Sequence, residues 1–259
     1  MITKNYKYFI VPLLLVGFIS CKNLYLVDTN GKNHVEVSQK ENADSTLIKM
    51  ITPFKQEMAK KMDSVIGFAP ITLERKKPES NLGNFVADLS FNYGYQYLIK
   101  ENLVTDSTNV FCLLNHGGLR SIISQGDISI GDCYSLMPFE NEIVVVKVSG
   151  EKLKYIFKYL EKSGGEPLAN MELDITKISN TNSNIKCNIG GATFDPKKEY
   201  YIVTSDYLAK GGDKMDFFLN PISFTQTGKL LRDAIIDEVK TKGTIDTKSD
   251  GRLKIKKDE

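Results

Sequence analysis

The run Asn109-Val110-Phe111-Cys112-Leu113-Leu114, followed at once by Asn115-His116-Gly117-Gly118-Leu119-Arg120, decides how this chain is read. A short apolar run that stops at a polar, glycine-bearing turn reads as a buried strand delivering a loop. In that loop Gly117 and Gly118 let the backbone come close to a ligand, and the Arg120 fork suits phosphate or hydroxyl oxygens in a fixed geometry. Gly126-Asp127-Ile128 marks a turn a few residues on.

Two runs outside it carry the same signature of buried strands, Ile143 to Val148 and Tyr200 to Thr204. Between the strands lie helical periods. Leu47, Ile51, Phe54, Met58, Met62 and Val65 recur in steps of four and three, predicting an amphipathic helix that ends at Gly67, with Pro53 bending it or marking its first turn. A second helix opens at Ser80 and turns Leu82, Phe85, Val86 and Leu89 to one side; a third follows Gly150 with Leu153, Ile156, Phe157 and Leu160. A fourth runs from about Lys229 to Lys242, burying Leu231, Ala234, Ile235 and Val239, with Gly243 as its C-terminal cap. Interleaved strands and helices place the chain in the α+β, or mixed α/β, class, and periodicity leaves the strand pairing open. Neither G-x-x-x-x-G-K-[ST] nor G-x-G-x-x-G after a strand occurs, so a nucleotide site would be built by other means.

Composition narrows the function classes. Lys plus Arg number 34 against 32 Asp plus Glu, so a net charge of +2 offers no counterion-releasing surface for polymeric DNA or RNA. The two histidines, His34 and His116, are too few for a self-contained two-metal hydrolase, which draws several imidazoles and carboxylates together. Residues 1–20 carry Lys4 and Lys7 and then an apolar run from Phe9 to Ser20, which reads as a signal peptide. Cys21 directly after a small residue resembles the bacterial lipoprotein processing site, which predicts lipid on Cys21 and a membrane anchor; an ordinary cleaved signal or a single N-terminal anchor is the alternative. Lys22-Asn23 in place of an acidic stretch points to a periplasm-facing anchor in the cell envelope. Residues 21–45 are polar and aperiodic and read as a flexible tether, leaving one domain over 46–256. Cys112, Cys133 and Cys187 have no metal-ligand spacing; Cys112 reads as a small core residue, and a disulfide between two of the three is open in an exported chain.

Three stretches combine glycine with polar or aromatic residues. Pro78 to Asn84 is a helix start that Ser80 can cap, approached by Arg75, Lys76 and Lys77; it reads either as an anion site or as a capped helix with a solvated basic approach. In the second, Asn115-His116 lacks the carboxylate of an Asn-His-Asp/Glu dyad because Gly117 stands in its place, so His116 reads as a hydrogen-bonding loop residue. The third pairs Met137-Pro138-Phe139-Glu140-Asn141 with Asp206-Tyr207-Leu208-Ala209-Lys210-Gly211-Gly212-Asp213. Each places one ring beside a turn. Two such rings about 7 Å apart hold a planar base by stacking worth roughly 1–3 kcal/mol each, while either ring taken alone reads as a core or lid residue. Asp213 is then a candidate acceptor for vicinal ribose hydroxyls.

Taken in order, Glu79-Ser80-Asn81-Leu82-Gly83-Asn84-Phe85-Val86-Ala87-Asp88, Asn115 to Arg120, Gly126-Asp127-Ile128, Pro138 to Asn141, Asp206 to Asp213 and Asp250-Gly251-Arg252 resemble the C-terminal, substrate-recognition domain of the 5′-nucleotidase family over about residues 46–255. The resemblance implies layered sheets flanked by helices. It also implies the site residues: Phe139 and Tyr207 as stacking rings, Asp213 as ribose acceptor, Asn115 and Asn141 as nucleoside hydrogen-bonding groups, and Arg120 toward ribose and phosphate. Gly117, Gly118, Gly211 and Gly212 belong to the same binding loops, and Lys76 stands where familiar members have arginine. Two further departures are Tyr207 for a frequent phenylalanine and Lys214 after Asp213 where glycine is usual.

Family enzymes divide the labour: a metallophosphatase domain holds two divalent ions and the catalytic dyad, and this domain stacks the base. With no catalytic or metal-binding set read in this sequence, the resemblance implies a nucleotide- or nucleoside-binding lipoprotein that presents its ligand to a separately encoded metallophosphatase and needs no cofactor of its own. A free-standing nucleoside-binding lipoprotein without a hydrolytic role is the alternative, and an inert scaffold that merely keeps the ligand residues is a third reading.

Overall fold

The computed structural model describes residues 43–179 and 183–257. The signal peptide, Cys21 and the tether as far as residue 42 lie outside them. The larger of two compact units runs from Ile51 to Glu259, and everything that positions the site is within it.

The three apolar runs become the middle of one sheet. β2 (Val110–Leu113), β4 (Glu142–Ser149) and β9 (Glu199–Ser205) are flanked by β5 (Leu168–Ala169) and β10 (Ser223–Leu230) in the order β10-β4-β9-β2-β5. β2 and β9 run parallel and the other neighbours antiparallel, so the sheet is mixed. Side chains alternate across a strand, and here both faces are covered, which is why the runs are largely apolar, with Lys147 toward the end of β4 pairing with Glu199. Val110, Cys112, Ile143, Val145 and Val203 join one core, and Phe111, Leu113, Val144, Val146 and Ile202 the other.

Helix α2 (Asn81–Lys100) and helix α6 (Leu231–Lys242) bring Leu82, Phe85, Val86, Ile235 and Val239 to the first core. The short α3 (Ile130–Leu136), entered through a capping box between Ser129 and Asp132, adds Cys133 and Leu136. The second core receives Leu153, Ile156, Phe157 and Leu160 from α4 (Gly150–Ser163). Its far wall is a second sheet, ordered β11-β6-β7-β8, of β6 (Met171–Lys177), β7 (Ser183–Ile189), β8 (Ala192–Thr193) and β11 (Leu253–Lys257). A two-stranded ribbon of β1 (Val65–Ala69) and β3 (Gly126–Ser129) completes the strands described here. The cysteines are settled: Cys112, Cys133 and Cys187 are buried free thiols, and burial pushes Cys133 and Cys187 up to about 12.

Helix α1 (Ser45–Met62) departs from expectation. It ends at Met62 rather than Gly67, Val65 opens β1, and Pro53 sits in its interior rather than its first turn. The apolar stripe is there, yet none of the helix is buried, and Phe54 is 68% exposed. Periodicity identifies an apolar face and carries no information about what covers it. Among the described residues no helix is long and apolar enough to cross a membrane.

Candidate functional site

β2 hands the chain to Asn115 and a 3-10 turn, His116–Gly118. That turn is fastened from both sides by residues far away in sequence. The Arg75 guanidinium donates to the carbonyls of His116 at 3.3 Å and Leu119 at 2.6 Å. Glu166, buried, accepts the His116 N–H at 2.7 Å and faces the Lys77 ammonium at 3.3 Å, while Lys77 also donates to the Ser163 carbonyl at 2.6 Å. Two of the three basic residues before helix α2 therefore stay exposed, as a solvated approach requires, while their charged ends also hold the loop; Lys76 is instead in an exposed ion pair with Glu74 at 2.8 Å.

The helix start itself is a closed cap. Ser80 Oγ accepts the Gly83 N–H at 3.0 Å, and Asn81 Oδ1 accepts the N–H groups of Glu74 and Leu82 at 2.8 and 2.9 Å. Glu79 is consumed by the C-terminal segment, accepting from the backbone of Asp250 at 2.7 Å and Gly251 at 2.9 Å. Of the two readings of this segment, the capped helix is the one realised.

His116 is also corrected. Its hydrogen bonding runs through the backbone, and neither ring nitrogen has a partner among the described residues. Burial, with Lys77 and Arg75 nearby, lowers its pKa to about 4, so the imidazole is neutral at neutral pH.

Asn115, Gly117, Gly118 and Arg120 from this loop meet Phe139, Asn141, Tyr207 and Asp213 around one cavity of about 270 Å³. Phe139 and Tyr207 are 45% and 46% exposed, so neither is a core residue. Phe139 sits on the segment between α3 and β4, which Arg232 supports from α6: the guanidinium is 4.2 Å from the Tyr134 ring centre and donates to the Pro138 carbonyl at 3.3 Å. Tyr207 sits on the short helix α5 (Asp206–Ala209), capped by Ser205. The two ring-bearing segments are tied to each other where the Asp206 carboxylate accepts the Glu142 N–H at 3.1 Å. Arg120 lies with its guanidinium carbon 5.8 Å from the Phe139 ring centre and donates to the Gly117 carbonyl at 3.3 Å.

Asp213 sits at the centre of a hydrogen-bonded cluster. Its Oδ2 accepts from Asn115 Nδ2, its Oδ1 accepts from the Tyr207 hydroxyl at 3.1 Å, and its N–H donates back to that hydroxyl at 3.3 Å. The Tyr159 hydroxyl, pushed up to about 12 by burial and by Glu166 and Asp213, donates to the Asp213 carbonyl at 3.1 Å. Two glycines permit the close approach: a Cβ on Gly212 would stand 2.5 Å from the Tyr207 ring, and one on Gly117 would stand 2.9 Å from Asp213 Oδ2. Asp213 and Lys214 both adopt left-handed backbone, φ 51° and 64°. That is the conformation glycine takes without strain, so a lysine at 214 carries a backbone cost.

Eight of the eleven binding residues read from the sequence thus line one cavity; Gly212 backs it, Gly211 supplies a positive φ of 87° just before it, and Lys76 does not line it. Arg75, Glu166, Arg232, Tyr159 and Asp206 leave no local pattern in the sequence, since most of their partners lie tens of residues away. The cavity offers two exposed rings, a carboxylate, two amides and a guanidinium, a set suited to a planar, hydroxyl-rich, anionic ligand. Two divalent ions of the kind the family uses do not fit the described residues: these contain no group of three or more His, Cys, Asp or Glu side chains placed to hold a metal.

Known proteins resemble this chain in sequence and in fold. Residues 59–220 match the model of the 5′-nucleotidase C-terminal domain. A 5′-nucleotidase-related protein of Glossina morsitans morsitans is 25% identical over 246 residues, 85% of this chain and 43% of that protein. In fold, the chain matches the 5′-nucleotidase precursor of Thermus thermophilus with a TM-score of 0.65 at 20% identity, over 80% of this chain and 42% of that one. NAD nucleotidase of Haemophilus influenzae gives a TM-score of 0.62 at 16% identity, over 85% and 42% of the two chains. The chain spans less than half the length of these proteins. With the family model covering well over half of the sequence and the same fold in solved relatives, the chain belongs to the family of 5′-nucleotidase C-terminal domains.

Proposed function

We propose that this domain binds a nucleotide or nucleoside in the cavity between Phe139 and Tyr207 and presents it to a metallophosphatase unit that carries the two-metal chemistry. The observation that carries the reading is the convergence of two exposed rings with Asp213, Asn115, Asn141 and Arg120 on one cavity. The rings sandwich the base, Asp213 accepts from the ribose, the two asparagines bond the nucleoside, and Arg120 meets ribose and phosphate. Each stacked ring contributes roughly 1–3 kcal/mol, sequence-tolerantly, because every base has a π-face. In this reading the cavity residues bind and orient, and the described residues include no group of three or more side chains placed to hold a metal.

The uncovered apolar stripe of α1, with Ile51, Phe54 and Met58 exposed, supports a partner surface on the N-terminal side of the domain. Lipid attachment at Cys21 and a place in the bacterial cell envelope belong to the same proposal, supported by the apolar run ahead of that cysteine. Incubating AMP with the purified chain, with a metallophosphatase from the same cell and with both tests the division of labour. Metal-dependent phosphate release is expected when the two are combined and absent with the chain alone; strong release by the chain alone contradicts it.

A further inference from the structure

The tie between Tyr207 and Asp213 goes beyond holding a base. A carboxylate on a free aspartate turns readily about its last torsion, a broad and two-fold one. Here each oxygen is gripped by a different element: Oδ1 by the Tyr207 hydroxyl at 3.1 Å from α5, Oδ2 by Asn115 Nδ2 from the end of β2. The same hydroxyl accepts the Asp213 N–H at 3.3 Å, so one phenol oxygen closes the loop from 207 to 213 through both backbone and side chain. Gly212 packs against the ring, and Tyr159 holds the Asp213 carbonyl at 3.1 Å. An ionised carboxylate has about four acceptor positions, two on each oxygen. With one on each oxygen occupied, what is left is a pair of acceptors, one per oxygen, in a plane that the protein fixes. A vicinal diol supplies two donors to such a pair and a 2′-deoxy sugar supplies one.

We propose that the Tyr207 hydroxyl is a positioning group which, with Asn115, orients the Asp213 carboxylate for a vicinal diol and so makes the pocket select ribonucleosides over 2′-deoxyribonucleosides. The inference rests on the nucleoside reading of the cavity and deepens it. A phenylalanine at 207 keeps the stacking face and loses both bonds to Asp213, so the selectivity belongs to the hydroxyl and the affinity for the base to the ring. Asp213 is exposed in the free chain, so discrimination against the deoxy sugar comes from the hydrogen bond that an already oriented carboxylate oxygen fails to receive.

The test is calorimetric titration of adenosine and 2′-deoxyadenosine into the wild-type chain and into Tyr207→Phe, with amide exchange at Asp213 followed in the ligand-free proteins. Wild type is expected to prefer adenosine. In Tyr207→Phe the adenosine affinity should fall roughly three- to tenfold, the equivalent of one net hydrogen bond, while 2′-deoxyadenosine changes less, so the ratio narrows. Asp213 amide exchange should quicken in the variant without any ligand present. An unchanged ratio in Tyr207→Phe, or an equal weakening of both nucleosides, overturns the role given to the hydroxyl. Wild type binding neither nucleoside overturns the nucleoside reading itself, together with the selectivity drawn from it, and is distinguished from failure of the tie by the Asp213 exchange rate.

Discussion

The cavity at the end of β2 and the clasp around Arg252 are both made from residues that carry the family resemblance, and they are built in opposite senses. At the clasp the Arg252 side chain is 15% exposed and its guanidinium is spent on Asp88, Asp250 and the Leu168 carbonyl, while Glu79 takes the backbone of 250 and 251. The outcome is a knot that joins β11 to helix α2. Burial works against the Arg252 charge, but the hydrogen bonds it donates to Asp250 and Asp88 outweigh that and hold its pKa above the ordinary value. At the cavity the rings are nearly half exposed, and the polar groups are oriented by one another while still facing the opening. Motif residues with saturated partners serve the fold; those around the cavity keep open faces, which the proposed function assigns to a ligand.

The largest effect that would sharpen this contrast is at the clasp. Arg252→Met should cost about 3 kcal/mol of stability, because one guanidinium serves two carboxylates and the Leu168 carbonyl at once, while the 40% and 53% exposure of Asp88 and Asp250 screens each pair and keeps the loss below that of a fully buried network; nucleoside affinity should be unchanged below the melting transition. Urea denaturation paired with calorimetry checks both halves, and a loss of binding without loss of stability would break the contrast. Asp250 adds a pH signature. The Arg252 hydrogen bond holds its carboxyl below the usual 3.8, so its contribution is full above that pH and is lost as the pH falls through the lower folded value.

His116 is expected to act next, and in a different window. Its value is 6.5 unfolded and about 4 folded, so between these the unfolded chain binds the extra proton and stability falls as the solution is acidified. The loss approaches roughly 3 kcal/mol at most by pH 4, from about 1.4 kcal/mol per unit, and His116→Asn should flatten the stability profile across that window. Phe139→Ala should weaken AMP binding by roughly 1–3 kcal/mol with little change in melting temperature, since an exposed ring contributes to the ligand and not to the core. The smallest change is Lys214→Gly. Relieving a left-handed lysine should stabilise the chain by about 1 kcal/mol, read as a shift in denaturation midpoint.

The comparison also explains what is legible in the sequence. The central strands stand out because both faces of that sheet are buried, so their apolar runs are nearly continuous. The second sheet does not: in β7 (Ser183-Asn184-Ile185-Lys186-Cys187-Asn188-Ile189) only Cys187 and Ile189 are buried, and so short and polar a segment carries little signal. Helix α1 shows the converse, a strong period that locates an apolar face while none of the helix is buried. The residues lining the cavity are legible as ordered motifs, while the cations and carboxylates that hold those loops in place are not. Arg75 and Glu166 meet His116 across 41 and 50 residues, and only the folded chain brings them together.

The central claim is that the cavity between Phe139 and Tyr207 is a working nucleoside site, and its most direct measurement is calorimetric titration of AMP, with adenosine alongside, into the purified chain and into the Phe139→Ala/Tyr207→Ala double variant, without added metal. Saturable binding by the wild type and its loss in the variant are expected. Absence of binding up to millimolar ligand, or binding that survives removal of both rings, would contradict the claim.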